Sequence, residues 1–366
     1  MKKRLLMIFA ILALAVTAMA RPVDPTTASK VARAFLKNTT GKDYASLTDI
    51  TSQTPFHEFY VFTLRGDKGF ILVSGDDCVV PILGYSETSR FVTEGMPAHV
   101  MDWMRTYEEQ ISFYREQSGG REYGGSSQVG SQWRGLLNGG FMPPQYESAV
   151  SPLVTTTWNQ SPYYNNLCPS ISGQQTVTGC VATATAQLMK YWNHPTTGYG
   201  SHSYTDANTG SHSVNFGSTT YDWNNMPASL SSTSSSTQVN AVATLMYHIG
   251  VAIEMSYGVA STGGSSATTG SNSYSHAAAN NALMTYFKYK NTLHFEEMDN
   301  YTAAEWSAML RADLDANRPI IYKGRDVSGG HSFICDGYNT SGQFHFNWGW
   351  GGYCDAYYTI GQLNPS

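Results

Sequence analysis

Hydrophobic positions in the first third of the chain follow both of the common secondary-structure periods. Over residues 27–37 and 98–117 they recur at steps of three and four, which predicts two helices. Residues 60–64 and 69–85 are rich in Val, Ile, Phe and Tyr, which favours strands. Residues 21–118 are therefore predicted to form a small α+β module.

The periodic pattern stops after this module. Residues 119–128 are rich in Gly and Ser, and residues 139–145 contain paired Gly and paired Pro, so no core periodicity crosses the stretch. Such a composition is typical of an exposed linker, where proteolysis concentrates. We predict a linker from about residue 119 and a second module from residue 148 onward.

The second module shows helical patterns first and strand patterns last, which is the order of an α+β fold. Helices are predicted over residues 179–193, 238–253, 276–287 and 302–317. Strands are predicted over residues 320–323, 332–338, 343–348 and 357–360. Two polar stretches are predicted to be surface loops, the second of them a candidate flap: residues 196–220 and 256–275.

The N-terminus has the layout of a secretory signal peptide. Residues 2–4 are basic, residues 5–16 are apolar, and residues 18–20 read Ala-Met-Ala, which is an A-x-A cleavage signal. The apolar run is too short to span a bilayer, and no other run reaches the length of a membrane helix. We predict a Sec-type bacterial signal peptide over residues 1–20, secretion of the protein and no membrane span.

Composition limits the classes of protein that the chain can belong to. Charged residues make up 13% of it and aromatic residues another 13%, which favours a packed globular protein over a disordered one. The net charge of −5 supplies no basic surface for nucleic acid. The chain has five Cys and no CxxC pair, so at least one thiol is unpaired within the chain.

Cys180 is the candidate nucleophile. It follows Thr178 and Gly179 where a loop opens a predicted helix. Unpaired N–H groups and the partial positive charge of a helix N-terminus stabilise a thiolate, and the pKa of such a Cys falls from about 8.5 to roughly 3.5–7.5. On these residues alone, a small buried hydrophobic role for Cys180 stays equally open.

His331 is the candidate base, because a thiol needs a proton acceptor within hydrogen-bond reach. It follows two glycines and begins an alternating strand pattern. Asn347 ends the next predicted strand, and adjacent antiparallel strands would place it beside the imidazole, whose tautomer it would fix. Trp348 would cover that hydrogen bond, and Gln160 would donate an amide N–H to the oxyanion of the intermediate.

The order of these residues is more specific than any one of them. Glutamine, cysteine, histidine and asparagine follow one another along the chain as they do in papain-like hydrolases. The local papain signature around the cysteine is absent, so the sequence predicts another family within that fold. We predict a thiol endopeptidase with no cofactor and no metal.

Three segments resemble the streptopain family, the streptococcal pyrogenic exotoxin B group of bacterial cysteine peptidases, and are similar to its interpain-like members. The segments are TGCVATATAQLMKY over residues 178–191, GGH over 329–331 and NWGWGG over 347–352. The resemblance covers residues 150–366 well and residues 21–118 loosely.

This resemblance implies a precursor. An inhibitory propeptide would extend over residues 21–147, and the enzyme itself or another protease would remove it, so that the mature protein begins near residues 144–150. A papain-like catalytic domain of helices and an antiparallel sheet would fill residues 148–366. The family cleaves many host proteins, prefers apolar residues at the second position before the cut and is often tied to virulence.

The resemblance also assigns roles to individual residues. Cys180 and His331 carry over as the catalytic dyad, Gln160 carries over as the oxyanion donor, and Asn347 and Trp348 carry over as the pair that orients the imidazole.

Two segments depart from the family pattern. Family members continue beyond the sequence that matches residues 363–366 into a glycine-rich loop, so the catalytic domain is expected to be truncated at its C-terminus. Residues 257–275 differ from the family in composition, which affects the expected specificity.

Three alternative functions stay open from the residues. A Cys-His acyltransferase of transglutaminase type would use the same side chains with an amine acceptor. A non-catalytic adhesion module would suit the Tyr-, Asn- and Ser-rich surface. A metal site would combine His331, Cys335, His345 and Cys354, although the last two lack the spacing that is typical of ligands.

Overall fold

The computed structural model describes residues 22–118, 128–139, 145–273, 277–326 and 329–363. The predicted signal peptide, parts of the predicted linker and the last three residues lie outside the described residues. Within the described ranges, no helix combines the length and the apolar character that a membrane crossing needs.

Both helices predicted for the first module are confirmed. Helix α1 spans Pro25–Thr40 and helix α2 spans Ala98–Ser118. The Asp24 carboxylate caps α1 by accepting the backbone N–H groups of Thr26 and Thr27. The apolar stripe of α1 is buried, as its helical spacing predicts: Ala28, Val31, Ala32, Phe35 and Leu36.

Four strands lie between these two helices. They are β1 (Thr48–Asp49), β2 (Phe59–Thr63), β3 (Phe70–Ser74) and β4 (Ile82–Ser86). The segment predicted as strand over residues 69–85 therefore contains two strands with a turn between them. The buried Asp76 carboxylate fixes that turn by accepting the backbone N–H of Cys78 at 3.0 Å.

A third helix lies in the stretch that was predicted to be a linker. Helix α3 spans Gln128–Leu137 and buries Val129, Trp133 and Leu136. The Trp133 indole N–H donates to the backbone oxygen of Val79 at 2.7 Å, which fastens α3 to the first module. The linker prediction is thus wrong for α3, whose three apolar positions are too few to give a strong periodic signal between glycine-rich flanks.

The four helices predicted for the second module are confirmed, with ends that differ by a few residues. They are α4 (Cys180–Trp192), α5 (Ser236–Ala252), α6 (Ala279–Tyr286) and α7 (Ala303–Asp315). Thr302 and Glu305 form a capping box at the start of α7, in which each side chain bonds the other residue's backbone N–H.

The described residues of the second module form eight strands, and the four predicted near its end are confirmed. The first four are β5 (Ser170–Ile171), β6 (Gln174–Gln175), β7 (Ser201–Asp206) and β8 (Gly210–Asn215). The last four are β9 (Ile320–Asp326), β10 (Gly329–Tyr338), β11 (Phe344–Asn347) and β12 (Ala356–Tyr358). Strands β7 and β8 form a hairpin, so the prediction of a loop over residues 196–220 is wrong. The outward positions of this hairpin are mostly polar and exposed, which hides the strand pattern.

One antiparallel sheet runs through both modules. Its strand order is β1-β2-β3-β4-β12-β11-β10-β9. The joint is the β4–β12 pair, in which Tyr85 faces Tyr357 and Gly84 faces Tyr358. A Cβ atom on Gly84 would lie 2.7 Å from the Tyr358 ring, so this close approach needs glycine. The α+β class is confirmed, but the joint between the modules is not apparent from the sequence.

Two hydrophobic clusters form the interior. The sheet cluster contains buried residues of α1, α2 and α3 together with the strands on both sides of the joint, among them Phe333 and Trp348. The helix cluster contains buried residues of α4, α5 and α6, among them Leu245, and it takes Ile334 from β10. The candidate site lies where the start of α4 meets β10.

Candidate active site

Cys180 is the first residue of α4, as the sequence predicts. Gly179 precedes it with a φ of 83°, a conformation that favours glycine. A Cβ atom on Gly179 would lie 2.8 Å from the Met255 side chain and 3.1 Å from the Ser265 carbonyl oxygen. The tight turn therefore presents the thiol at the positive end of the α4 dipole.

Burial and backbone amides act on the Cys180 thiol in opposite directions. Burial raises the pKa of the thiol, and the N–H groups of Ser332 and Val181 together with the charge of Lys323 lower it. The net effect is a raised pKa, so the thiol is protonated at neutral pH. The Ser332 amide is the group on β10 that contacts the sulfur, and it belongs to the residue next to His331.

His331 lies on β10, where it pairs with Gly324 of β9. Strand alternation places its side chain on the face of Phe333, whereas Ser332 lies on the face of Ile334. Burial lowers the pKa of the His331 imidazole to about 3. The described state therefore contains a neutral thiol and a neutral imidazole.

Asn347 ends β11 and pairs with Ile334 of β10 in the register. Its side-chain oxygen accepts the Gln187 amide at 3.0 Å and the Gly349 backbone N–H at 3.1 Å. Its side-chain amide donates to the Thr156 carbonyl oxygen at 2.7 Å. The bond to Gln187 connects Asn347 to α4, and its predicted role beside His331 stays a prediction.

Trp348 is buried in the middle of an aromatic group. Its ring centroid lies 4.4 Å from that of Phe333 and 5.5 Å from that of Tyr358. Its backbone N–H donates to the Asp355 carboxylate at 2.8 Å, and its indole N–H donates to the Cys354 carbonyl oxygen at 3.0 Å. Two hydrogen bonds therefore fix Trp348 where it packs against Phe333 of the strand that carries His331.

Gln160 lies beside the loop that leads to the nucleophile. Its carbonyl oxygen accepts the backbone N–H of Thr178 at 3.3 Å, and its own N–H donates to the Asn159 side chain at 2.7 Å. The bond to Thr178 joins Gln160 to the loop two residues before Cys180, and its role as oxyanion donor stays a prediction.

All five Cys are free, and Cys78, Cys168, Cys335 and Cys354 are buried. His345 lies 2.6 Å from the Asp336 carboxylate across the β10–β11 pair. In the described part of the chain, no three His, Cys, Asp or Glu side chains are arranged to hold a metal ion.

Two parts of the site were not predicted from the sequence. Gln187 is fully buried in α4, where it bonds Asn347, Thr156 and the Trp158 backbone N–H. A glutamine seven residues after Cys180 in an otherwise small and apolar helix is the signal that marks it, since two turns return to the same face. The hydroxyl pair of Thr269 and Ser332 has no comparable signal in the sequence.

A helix-start cysteine facing a histidine-bearing strand of an antiparallel sheet defines a cysteine peptidase of papain-like architecture. Family comparison agrees: residues 158–358 match the Peptidase C10 family, and residues 20–111 match the Spi protease inhibitor family. The chain belongs to the Peptidase C10 family. Its first module is of an inhibitor type, which is the organisation of a zymogen.

Curated relatives support this membership. The chain is 35% identical over 317 residues to the thiol protease/hemagglutinin PrtT of Porphyromonas gingivalis, covering 84% of this chain and 34% of that protein. It is 31% identical over 327 residues to streptopain of Streptococcus pyogenes, covering 84% of this chain and 75% of streptopain. The chain thus spans about a third of the length of PrtT.

Two solved structures from Prevotella intermedia are similar to the chain. A fragment of prointerpain A matches with a TM-score of 0.69 and 34% identity, covering 88% of this chain and 93% of the fragment. Active interpain A cysteine protease matches with a TM-score of 0.53 and 40% identity, covering 59% of this chain and 88% of the enzyme. The precursor thus covers more of this chain than the active enzyme does, as expected for a chain that retains its first module.

Proposed function

We propose that the chain is the secreted precursor of an endopeptidase that hydrolyses proteins through Cys180 and His331. One observation carries the proposal: the thiol at the first residue of α4 contacts the backbone N–H of Ser332, which is the neighbour of His331. This contact supports the proposal because it sets a thiol at the positive end of a helix dipole beside the strand that carries the candidate base.

The reaction would proceed by nucleophilic catalysis. His331 takes the thiol proton, and the Cys180 sulfur attacks the carbonyl carbon of the scissile peptide bond. The Gln160 side-chain amide and the Cys180 backbone N–H bind the oxyanion. The imidazolium then gives its proton to the leaving amine, and His331 activates the water that hydrolyses the thioester. Asn347 and Trp348 hold the strand end beside the imidazole.

Burial keeps this pair neutral in the precursor. Burial raises the pKa of the Cys180 thiol and lowers that of the His331 imidazole to about 3. Both shifts oppose transfer of the proton from sulfur to nitrogen. Removal of the first module admits water to the strand side of the site, which raises the pKa of the His331 imidazole and favours the thiolate-imidazolium pair.

Three finer assignments belong to the same proposal. Secretion is supported by the signal-peptide pattern over residues 1–20. Removal of residues 21–147, with a mature N-terminus near 144–150, is supported by the Gly- and Pro-rich stretches there. Host proteins are the proposed substrates, with an apolar residue at the second position before the cut.

The test compares the purified reduced chain with its Cys180→Ala variant. Each is incubated at neutral pH, with and without an epoxysuccinyl thiol-protease inhibitor, and followed by mass spectrometry and casein hydrolysis. We expect only the uninhibited wild type to lose its first module and gain activity, with the inhibitor adduct at Cys180. Loss of all turnover in the variant is expected, because no other described thiol lies at a helix N-terminus.

Other outcomes would favour the alternative functions. Full hydrolysis by Cys180→Ala would refute the assignment of the nucleophile. Amide products that outcompete hydrolysis when an amine is added would indicate an acyltransferase. Binding to host proteins that survives Cys180→Ala, in a chain that never cleaves casein, would indicate an adhesion module.

A further inference from the structure

A hydrogen bond joins the strand that carries His331 to a segment on the other side of the site. The hydroxyl oxygens of Thr269 and Ser332 lie 2.5 Å apart, and both side chains are buried. Ser332 directly follows His331 in β10, and its backbone N–H contacts the Cys180 thiol. The hydroxyl pair thus involves Ser332, the residue whose backbone N–H contacts the nucleophile.

The segment that contains Thr269 also holds the loop in front of the nucleophile. We call residues 256–273 the bracing segment. Its Ser265 hydroxyl donates to the Val177 carbonyl oxygen at 2.6 Å, and the Val177 backbone N–H donates to the Gly258 carbonyl oxygen at 3.1 Å. The bracing segment is therefore bonded to the nucleophile's loop on one side and to the strand of the proposed base on the other.

The Thr269–Ser332 bond is the link between the bracing segment and β10. Within the described residues, these two hydroxyls make no other side-chain hydrogen bond. A buried hydroxyl without a partner is costly, so each side chain keeps the other in place. Because a hydrogen bond to a thiolate weakens steeply with distance and angle, a small shift of β10 changes how well the Ser332 amide stabilises the sulfur anion.

We propose that Thr269 is a positioning residue for the hydrolytic reaction, because its hydrogen bond with Ser332 holds the Ser332 amide against the Cys180 sulfur. The inference rests on the proposed role of Cys180 as nucleophile. It assigns a catalytic purpose to the bracing segment, in which Thr269 acts through Ser332 and does not touch the substrate.

The test measures the reactivity of Cys180 in the full chain. Thr269→Val removes the hydroxyl at nearly constant volume, and Thr269→Ser retains it. Alkylation by iodoacetamide is followed between pH 5 and pH 10, and the adduct is quantified on the peptide that contains Cys180. The rate follows the thiolate fraction, so we expect Thr269→Val to slow alkylation at pH 7 by about threefold to tenfold, with a higher midpoint. Thr269→Ser should keep the wild-type profile.

Two further measurements separate positioning from a loss of stability. After activation, Thr269→Val should lower kcat by a similar factor with little change in KM, because the bond affects the nucleophile and not substrate binding. Ser332→Ala should match Thr269→Val, and the double variant should be no slower than either single variant, because one bond is removed in all three. If Thr269→Val does not fold, Ser332→Ala provides the same test.

Distinct outcomes overturn the inference and the proposed function. An unchanged pH profile in Thr269→Val and Ser332→Ala, with an inert Cys180→Ala control, overturns the positioning role alone. Additive effects in the double variant also overturn it, because they would mean two independent contacts. An active Cys180→Ala variant overturns the proposed function and this inference with it.

Discussion

The nucleophile and its proposed base are packed in different ways. Cys180 begins α4, which lies in the helix cluster, and no described residue of the first module belongs to that cluster. His331 lies on β10, whose Phe333 belongs to the sheet cluster together with residues of the first module. The nucleophile is thus held by its own module, whereas the strand of the base is held partly by the inhibitor module.

This difference indicates where inhibition acts. Trp103 of α2 packs against Phe333, Phe346 and Trp348, with ring centroids 6.2, 5.1 and 6.0 Å away. Edge-on aromatic contacts of this kind add to the free energy of burial. Departure of the first module removes Trp103 from this cluster and also frees the edge of β12. We therefore expect activation to rearrange the strand side of the site and to leave α4 unchanged.

The largest effect is expected for Trp103→Ala. Truncation of this partly buried indole should lower the free energy of unfolding by about 2–4 kcal/mol. It should also weaken the hold of the first module on β10 and so shorten the lag before casein hydrolysis begins. Urea unfolding measures the first effect, and the time course of casein hydrolysis measures the second.

Leu245→Ala is the matched control for this prediction. Leu245 is fully buried in the helix cluster, so its truncation should lower the free energy of unfolding by a comparable amount, about 2–5 kcal/mol. Because it lies outside the packing of the first module, the lag should stay at the wild-type length. If both variants shorten the lag equally, general instability would explain the faster activation. The inference that inhibition acts through the strand of the base would then be wrong.

The packing around Trp348 also contains a titratable group. The buried Asp355 carboxylate accepts the Trp348 backbone N–H, and burial raises its pKa to about 7. The nearby His345 lowers this pKa, and the Asp336 carboxylate raises it further. Asp355 is therefore protonated below neutral pH and becomes a buried anion above it.

The sign of the resulting pH dependence follows from linkage. The folded-state pKa of Asp355 exceeds the unfolded value of about 3.9, so its contribution to stability is complete below about pH 4 and is lost as the pH rises through 7. Asp355→Asn keeps an acceptor for Trp348 but cannot ionise. Between pH 5 and pH 8, the wild type should lose about 1–3 kcal/mol more than this variant.

Urea unfolding at several pH values tests this prediction. The titration of His345 is present in both proteins, so the difference between them reports mainly on Asp355. Parallel curves for wild type and Asp355→Asn would mean that the carboxyl is already ionised in the folded protein at pH 5.

Long periodic segments of the fold could be predicted from the sequence. Helices α1, α2, α4 and α5 each contain enough apolar positions for their period to be clear, and the capping box at Thr302 marks the start of α7. Helix α3 and the β7–β8 hairpin were missed, because one is short and the other is polar on its outward positions. In both cases tertiary packing, and not local pattern, decides the structure.

Prediction from local sequence pattern is limited in the same way at the candidate site. Cys180 and His331 could be selected because contiguous motifs surround them. The bonds from Asn347 to Gln187 and from Thr269 to Ser332 join residues far apart in the chain, and only the packing of α4 and the bracing segment on the sheet determines them. The sequence predicted Asn347 on an adjacent antiparallel strand, but the register that pairs it with Ile334 depends on three-dimensional contacts.

The smallest effect is expected at the joint between the modules. The Tyr107 hydroxyl proton is shared between the Thr359 carbonyl oxygen at 2.7 Å and the Leu83 carbonyl oxygen at 3.0 Å, so it links the two strand regions at the joint. The hydroxyl oxygen also accepts the Trp103 indole N–H at 3.0 Å. Tyr107→Phe should lower the free energy of unfolding by about 1 kcal/mol and shorten the lag before casein hydrolysis slightly.

Tyr60→Phe makes the same chemical change within the first module alone. The Tyr60 hydroxyl donates to the Val23 carbonyl oxygen at 2.6 Å and makes no described contact with the second module. Its loss should cost a similar free energy of unfolding without changing the lag. A shortened lag in Tyr60→Phe, or an unchanged lag in Tyr107→Phe, would mean that the Tyr107 bond to Thr359 does not help to hold the inhibitor module on the sheet.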